Sequence, residues 1–190
     1  VLDRKEILLP GDHNVENYMA AIAAVEGLVN IETVRSFAKR FSGVEHRIEL
    51  VRELNGVRYY NDSIASSPTR TIAGLKCFPE KVILIAGGYD KHIPFDALGP
   101  VISEYVKLLI LTGDTAEKIR EAVEGASGYQ EGCPQIVECE TLSDAVETAY
   151  KAAVSGDVVL LSPACASFDR FKNFMERGNT FKQLVLALKE

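Results

Sequence analysis

Three short runs in this 190-residue chain are apolar at every position: Val82–Ala86 (VILIA), Leu108–Leu111 (LLIL) and Val158–Leu161 (VVLL). A strand with one face in water alternates apolar and polar residues. These runs need cover on both faces, as in a parallel sheet held between helices. Helical spacing fills the stretches around them. It predicts helices over Pro68–Lys76, Pro94–Tyr105, Thr115–Glu124, Leu142–Val154 and Phe168–Leu188. Strands are expected between them at Lys81–Ala86, Val106–Thr112, Gln135–Cys139 and Asp157–Ser162. Such alternation specifies an α/β domain with a Rossmann-like, mostly parallel sheet and helices on both faces. Ahead of it, Arg47–Leu54 and Val57–Asn61 flank Asn55-Gly56, a strong hairpin signal.

The first 43 residues read differently. A short apolar run, Glu6–Leu9, is closed by Pro10-Gly11, and helices are expected over Asn14–Leu28 and Ile31–Phe41. Ser42-Gly43 ends the second helix, and the character of the sequence changes there. The expected organisation is therefore a short strand–helix segment from another domain over residues 1–43, then the Rossmann-like domain over 44–190. A first residue of Val rather than Met adds the expectation that the chain is a piece of a longer protein.

At 47% hydrophobic and 25% charged residues, the chain has enough apolar surface to bury a core. Its apolar runs fall far short of the ~18 residues of a membrane span, and the expectation from its ends is of neither a leader nor a lipidation signal. Cys77, Cys133, Cys139 and Cys165 are scattered, with no C-x-x-C pair and no His at metal-ligand spacing. That pattern points to a reducing, cytoplasmic setting and away from disulfides, structural zinc or any resident metal. A net charge of -6 without a basic run argues against nucleic acid but not against small anions, which local donors bind.

In an open parallel sheet, ligands sit beyond the carboxyl ends of the strands, which selects four loops: Asn61–Pro68, Gly87–Ile93, Gly113-Asp114 and Ser162–Phe168. Ser67, with Pro68 behind it, is placed to cap one helix, and Ser167 to cap the last. Gly87-Gly88 lets backbone approach a ligand and brings Lys91 to the same rim. Two helix N-termini, a lysine and several hydroxyls suit a small molecule bearing carboxylate or phosphate. Plain capping at strand–helix junctions yields the same features, so the pattern leaves both readings open. His13, His46 and His92 are scattered without a catalytic context; His46, followed by Arg47, reads as surface or interface. No G-x-x-x-x-G-K-[ST], G-x-G-x-x-G or G-x-S-x-G motif occurs, so any triphosphate cradle would lie outside this chain.

Five strings in order, GDHNVENYMAA, FSGVEHRIE, NGVRYYNDSIASSP, GGYDK and LLSPACASFDRFKNFMERGNTF, resemble the Mur ligase family of bacterial cell-wall synthesis, in particular its D-glutamate-adding members. Those ligases have a UDP-binding domain, a central ATPase domain and a C-terminal Rossmann-like domain. The resemblance implies that residues 44–190 are the third and residues 1–43 the tail of the second, with the N-terminal and most of the central domain missing. It implies ATP- and Mg²⁺-dependent amide formation between D-glutamate and UDP-MurNAc-L-Ala through an acyl phosphate, in peptidoglycan synthesis, with no catalytic acid or base from this region. Lys91 would pair with one D-glutamate carboxylate. Ser167 and the Phe168 backbone N–H would hold the other end, beside Phe174, and Ser66 stands for a family threonine. Asn14 and Asn17 resemble the pair at the adenine side of ATP, and Arg47 and Asp62 the groups at its ribose and phosphates. Ile64 departs from the family's usual lysine and removes a positive charge, for which Arg70 is one candidate replacement. The alternatives are a sister ligase for another amino acid, or a non-catalytic anion-binding module on the same scaffold.

Overall fold

The computed structural model describes residues 2–9 and 11–189, with backbone alone at Asp12 and His13. Pro10, half of the expected Pro-Gly stop, lies outside the described residues. The chain forms two compact units, residues 1–44 and 45–190.

The first unit holds a 3-10 turn at Arg4–Glu6 and two helices, α1 (Asp12–Ala24) and α2 (Ile31–Ala38). The opening strand expected from the apolar run does not form among the described residues. Asp3 instead caps the turn, accepting from the Lys5 amide at 2.9 Å, while Glu6 accepts from the Asp3 amide at 3.1 Å. That local bonding satisfies backbone groups which a lone strand would leave unpaired. Helix α1 begins at Asp12 behind Gly11 (φ 92), so Asn14 lies inside its first turn rather than at its cap. Asn30 does cap α2, accepting from the Thr33 amide at 2.8 Å.

The second unit is the expected α/β domain. Its strands are β1 (Glu49–Leu54), β2 (Val57–Asn61), β3 (Val82–Ala86), β4 (Val106–Leu111), β5 (Gln135–Glu138) and β6 (Val158–Leu161). Its helices are α3 (Pro68–Leu75), α4 (Leu98–Tyr105), α5 (Ala116–Glu124), α6 (Leu142–Ala152) and α7 (Phe174–Ala187). The sheet runs β1-β2-β6-β3-β4-β5. Strands β1 and β2 are antiparallel across Asn55-Gly56, where φ is positive at both residues (52 and 76), as the tight hairpin turn requires; the other pairs are parallel.

Crossovers of one hand put helices that step in the same direction on the same face of the sheet. Helices α3, α4 and α5 accordingly share one core with Val82, Leu84, Leu109, Leu111 and Leu160. The return from β5 to β6 puts α6 and α7 on the opposite face, over Tyr59, Ile83, Ile85, Ile110, Val159 and Leu161. Successive residues of β3 thus feed alternate cores, which is why the strand is apolar throughout. The order reverses at β6: the loop after it leads to α7 on one face, while the loops after its neighbours β2 and β3 lead to the other. A crevice opens at such a switch point.

Two helix starts differ from the periodicity. Helix α4 begins at Leu98, because Phe95 is buried in the core and the Leu98 amide closes a turn on its carbonyl at 2.8 Å. Helix α7 begins at Phe174, not Phe168. Ser167 does not cap it; its carbonyl accepts from the amides of Arg170 (3.2 Å) and Phe171 (2.8 Å) in a separate turn. The cap is Asn173, which accepts from the Glu176 amide at 2.9 Å, while Glu176 accepts from the Lys172 amide at 2.8 Å. The Asn173 side chain satisfies one first-turn donor and Glu176 ties down the residue before the cap, so the helix starts here rather than at the serine upstream.

Candidate functional site

The rim beyond the carboxyl ends of β2, β3, β4 and β6 is built by three hydrogen-bonded clusters. The first lies at the end of β2. The Asp62 amide continues the ladder to the Leu161 carbonyl at 2.8 Å, and its carboxyl group turns inward. There Ser162 Oγ donates to Oδ2 at 2.8 Å and the Ile48 amide to Oδ1 at 3.3 Å. Thr71 of α3 closes the cluster, donating to the Ser162 carbonyl at 3.2 Å. Burial pushes the Asp62 carboxyl up to about 7, against the opposing pull of the Ser162 and Ile48 hydrogen bonds and of Arg47 and Arg70.

Arg177 of α7 is the second, and only 4% of it is exposed. Its Nε donates to Ser63 Oγ at 3.1 Å, and its two terminal nitrogens donate to the carbonyls of Ser63 (2.9 Å), Cys165 (3.0 Å) and Ala166 (3.0 Å). Ser63 Oγ in turn donates to the Phe174 carbonyl at 2.7 Å. One guanidinium thus joins the loop after β2, the loop after β6 and the start of α7. Burial lowers its pKa to about 10, so it stays charged at neutral pH. Hydrogen bonds to neutral carbonyls, rather than an ion pair, carry the charge.

The third cluster fixes the loop after β3. Gly87 and Gly88 have φ of 107 and 148, and a Cβ on Gly87 would overlap the Thr112 carbonyl. The Gly87 amide donates to the Pro163 carbonyl at 2.9 Å and the Tyr89 amide to that of Ala166 at 3.0 Å, in an isolated antiparallel bridge. Thr115, fully buried, donates to the Gly88 carbonyl and accepts from the Gly88 amide, both at 3.1 Å. Its Oγ1 also lies 3.0 Å from Cys165 Sγ. Burial pushes that thiol up to about 11, so it is no nucleophile near neutral pH.

These bonds lay residues 87–91 beside residues 162–168. Lys91 is exposed two residues beyond the bridge, and among the described residues it has no hydrogen bond or ion pair. Ser167 follows the bridged Ala166 and is buried; Phe168 is 61% exposed, with its ring edge-on to Tyr89 at 6.0 Å. Phe174 and Ser66 are half-buried on the adjoining α7 and β2 loop. Arg47 is exposed and Asp62 buried, so only the first presents charge to solvent. Asn14 and Asn17 belong to the first unit, on one side of α1, with Asn17 Nδ2 3.4 Å from Asn14 Oδ1. Among the described residues no three His, Cys, Asp or Glu side chains converge as a metal-ligand group.

The sequence reading did not single out Arg177, Thr115 or the surroundings of His46. Arg177 had a detectable signal: it stands three residues after Phe174 and four before Phe181, on the apolar side of its helix. His46, expected at a surface or interface, is 4% exposed. Its Nδ1 lies 2.9 Å from Asn61 Nδ2, its amide donates to Glu49 Oε2 at 2.9 Å, and Phe174 meets its ring edge-on at 5.8 Å. It belongs to the wall beneath the rim.

Residues 46–165 match the family model described as "Mur ligase, glutamate ligase domain". The UDP-N-acetylmuramoylalanine--D-glutamate ligase of Acetivibrio thermocellus is 60% identical over 96% of this chain and 40% of its own. The enzyme of the same name from Clostridium kluyveri is 57% identical over 95% of this chain and 39% of its own. The chain therefore spans about two fifths of the length of these curated relatives. Among solved structures, the UDP-N-acetylmuramate-alanine ligase of Thermotoga maritima superimposes with a TM-score of 0.71 at 16% identity, over 96% of this chain and 40% of that one. A Mycobacterium tuberculosis folylpolyglutamate synthase gives 0.66 at 16% identity, over 92% and 41%. At that identity the two structures speak for the fold alone. With 120 of its 190 residues inside the family model, and relatives of that family 57–60% identical over nearly its whole length, the chain belongs to the Mur ligase family.

Proposed function

We propose that residues 44–190 are the amino-acid-binding, nucleotide-closing C-terminal domain of a cytoplasmic ligase, and residues 1–43 the tail of its central ATPase domain. The ligase joins D-glutamate to UDP-MurNAc-L-Ala in peptidoglycan synthesis. The observation that carries this reading is the rim itself: Lys91, unpaired among the described residues, bridged through Tyr89–Ala166 to the segment holding Ser167 and Phe168.

A dicarboxylate spans two such anchors. Lys91 takes one carboxylate, while the Ser167 hydroxyl and the Phe168 N–H take the other, with Ser66 and Phe174 closing the sides. The amine is then aimed at the activated carboxyl group of the acceptor, so this domain contributes chiefly positioning. ATP, when bound, supplies the phosphoryl group that activates that carboxyl. The residues here fit a nucleotide in part. Asn14 and Asn17 offer paired amides of the kind a purine edge accepts, and Arg47 offers an exposed cation for phosphate. Asp62 has both oxygens engaged by Ser162 and Ile48, so it serves by holding the segment that carries Arg47. Ligands for Mg²⁺ belong, on this reading, to the preceding domains.

Titrating the labelled chain with D-glutamate, L-glutamate and D-aspartate tests the site. Amide shifts confined to residues 87–91 and 162–174, and selective for D-glutamate, are expected. In the full-length ligase, Lys91→Ala should raise the KM for D-glutamate by about 10- to 100-fold with a smaller change in kcat. An unchanged KM in that variant, or product formed equally well from L-glutamate, refutes the assignment.

A further inference from the structure

We propose that Lys118, on α5, is a positioning residue for the D-glutamate site: it neutralises Asp90 and so keeps the ammonium group of Lys91 available to a ligand carboxylate. The inference rests on the reading of Lys91 given above.

Asp90 is adjacent to Lys91 in the chain and is the carboxylate nearest to it in sequence. Left alone, it would pair with Lys91 or repel an incoming carboxylate. Its two oxygens are already committed. Oδ2 accepts from Lys118 Nζ at 2.5 Å, and Oδ1 accepts from the His92 amide at 2.7 Å. The second bond closes a side-chain turn around Lys91, and His92 beyond it has a positive φ of 57. His92 Nδ1 adds a third contact, 3.3 Å from Oδ2. The Lys118 hydrogen bond, followed by that of the His92 amide, holds the Asp90 carboxyl below the usual carboxylate range, so it is ionised at neutral pH and carries a negative charge beside Lys91.

The pair also ties the ligand loop to a rigid element. Helix α5 is anchored in the core by Ile119 and Val123, both fully buried, and Lys118 projects from it to the loop. Thr115, near the start of the same helix, already grips Gly88. Lys118 extends that grip by two residues, up to the position next to Lys91. The Lys118 side chain is 50% exposed, so the pair adds little to folding. Its effect falls on the charge presented to a ligand.

The test is steady-state kinetics of the full-length ligase with D-glutamate as the varied substrate. Lys118→Ala should raise KM about three- to tenfold, the size of one uncompensated charge acting across a partly solvated gap, with kcat nearly unchanged. Lys118→Arg should restore KM, and so should adding Asp90→Asn to Lys118→Ala, since the asparagine can still accept from the His92 amide. A purely structural role for Lys118 would not be rescued by removing Asp90's charge. Lys91→Ala separates the two readings. If it leaves KM unchanged, the assignment of Lys91 fails; if it raises KM while Lys118→Ala does not, or while Asp90→Asn brings no rescue, the role of Lys118 is overturned.

Discussion

Replacing Gly178 by alanine sets helix propensity against packing, and the structure decides the sign. Gly178 lies inside α7, where alanine is ordinarily favoured by about 1 kcal/mol. Its position is buried, and a Cβ there would overlap His46 Nδ1, approach His46 Cε1 to 2.9 Å and come within 3.1 Å of Asn61 Nδ2. The imidazole cannot swing clear: Asn61 holds its Nδ1, Glu49 holds its backbone and Phe174 stands against its ring. Overpacking of this kind costs about 1–3 kcal/mol, and breaking the Asn61–His46 contact adds about 1 kcal/mol. The net expectation is a loss of roughly 1–3 kcal/mol, which at a urea m-value of about 1–3 kcal/mol per molar moves the midpoint down by on the order of 1 M. Urea unfolding followed by circular dichroism measures it. In a His46→Ala background the imidazole is gone and only Asn61 Nδ2 stays close, free to give way once its His46 partner is lost, so the same glycine-to-alanine change should turn neutral or stabilising. If Gly178→Ala alone leaves the midpoint unchanged or raises it, the packing argument is wrong.

Two further outcomes follow from the clusters beneath the rim. Asp62 has its carboxyl raised from 3.8 to about 7 by burial. Its contribution is therefore fully present below about pH 4 and lost as pH rises through about 7, by up to about 4 kcal/mol. Asp62→Asn should flatten the fall in stability between pH 4 and 8; a parallel pair of pH–stability curves would contradict this. Arg177→Met leaves three carbonyls and the Ser63 hydroxyl without their shared donor, and should destabilise the chain by about 3–5 kcal/mol, the scale for orphaning a buried polar network. Arg177→Lys should fall between the two, because an ammonium has only three donors and cannot fork. A midpoint for Arg177→Met within error of the parent would show that water replaces the guanidinium at no cost.

Much of the architecture was legible in residue patterns because its causes are local. VILIA, LLIL and VVLL need both faces covered whatever follows them, and Asn55-Gly56 supplies the positive φ that a tight hairpin demands. Ser67-Pro68 marks a helix start through the geometry of two residues. The strand-end rule then selected the loops holding Lys91, Ser66 and Ser167, since any open parallel sheet exposes those ends. Strand order was not legible. Nothing in VVLL says that it inserts between β2 and β3, because that choice depends on pairings with residues about 75 to 100 positions away.

The same distinction separates the residues of the site. Serine, lysine and glycine at strand ends announce themselves by type, whereas Arg177 and His46 do not. A buried guanidinium is tolerable only because four acceptors from residues 63, 165 and 166 converge on it, and a buried imidazole only because Gly178 leaves room for its ring. The start of α7 moved for a related reason: Ser167 is held in a turn beside the Tyr89–Ala166 bridge, so Asn173 and Glu176 cap the helix instead. The sequence alone determined the α/β class, most elements of the second unit and the loops at the carboxyl ends of its strands, because periodicity and turn chemistry act over a few residues. Only the tertiary structure decided strand order, the burial of Arg177 and His46, and the counter-charge that Lys118 brings to Asp90, because each depends on groups that meet only after the chain has folded.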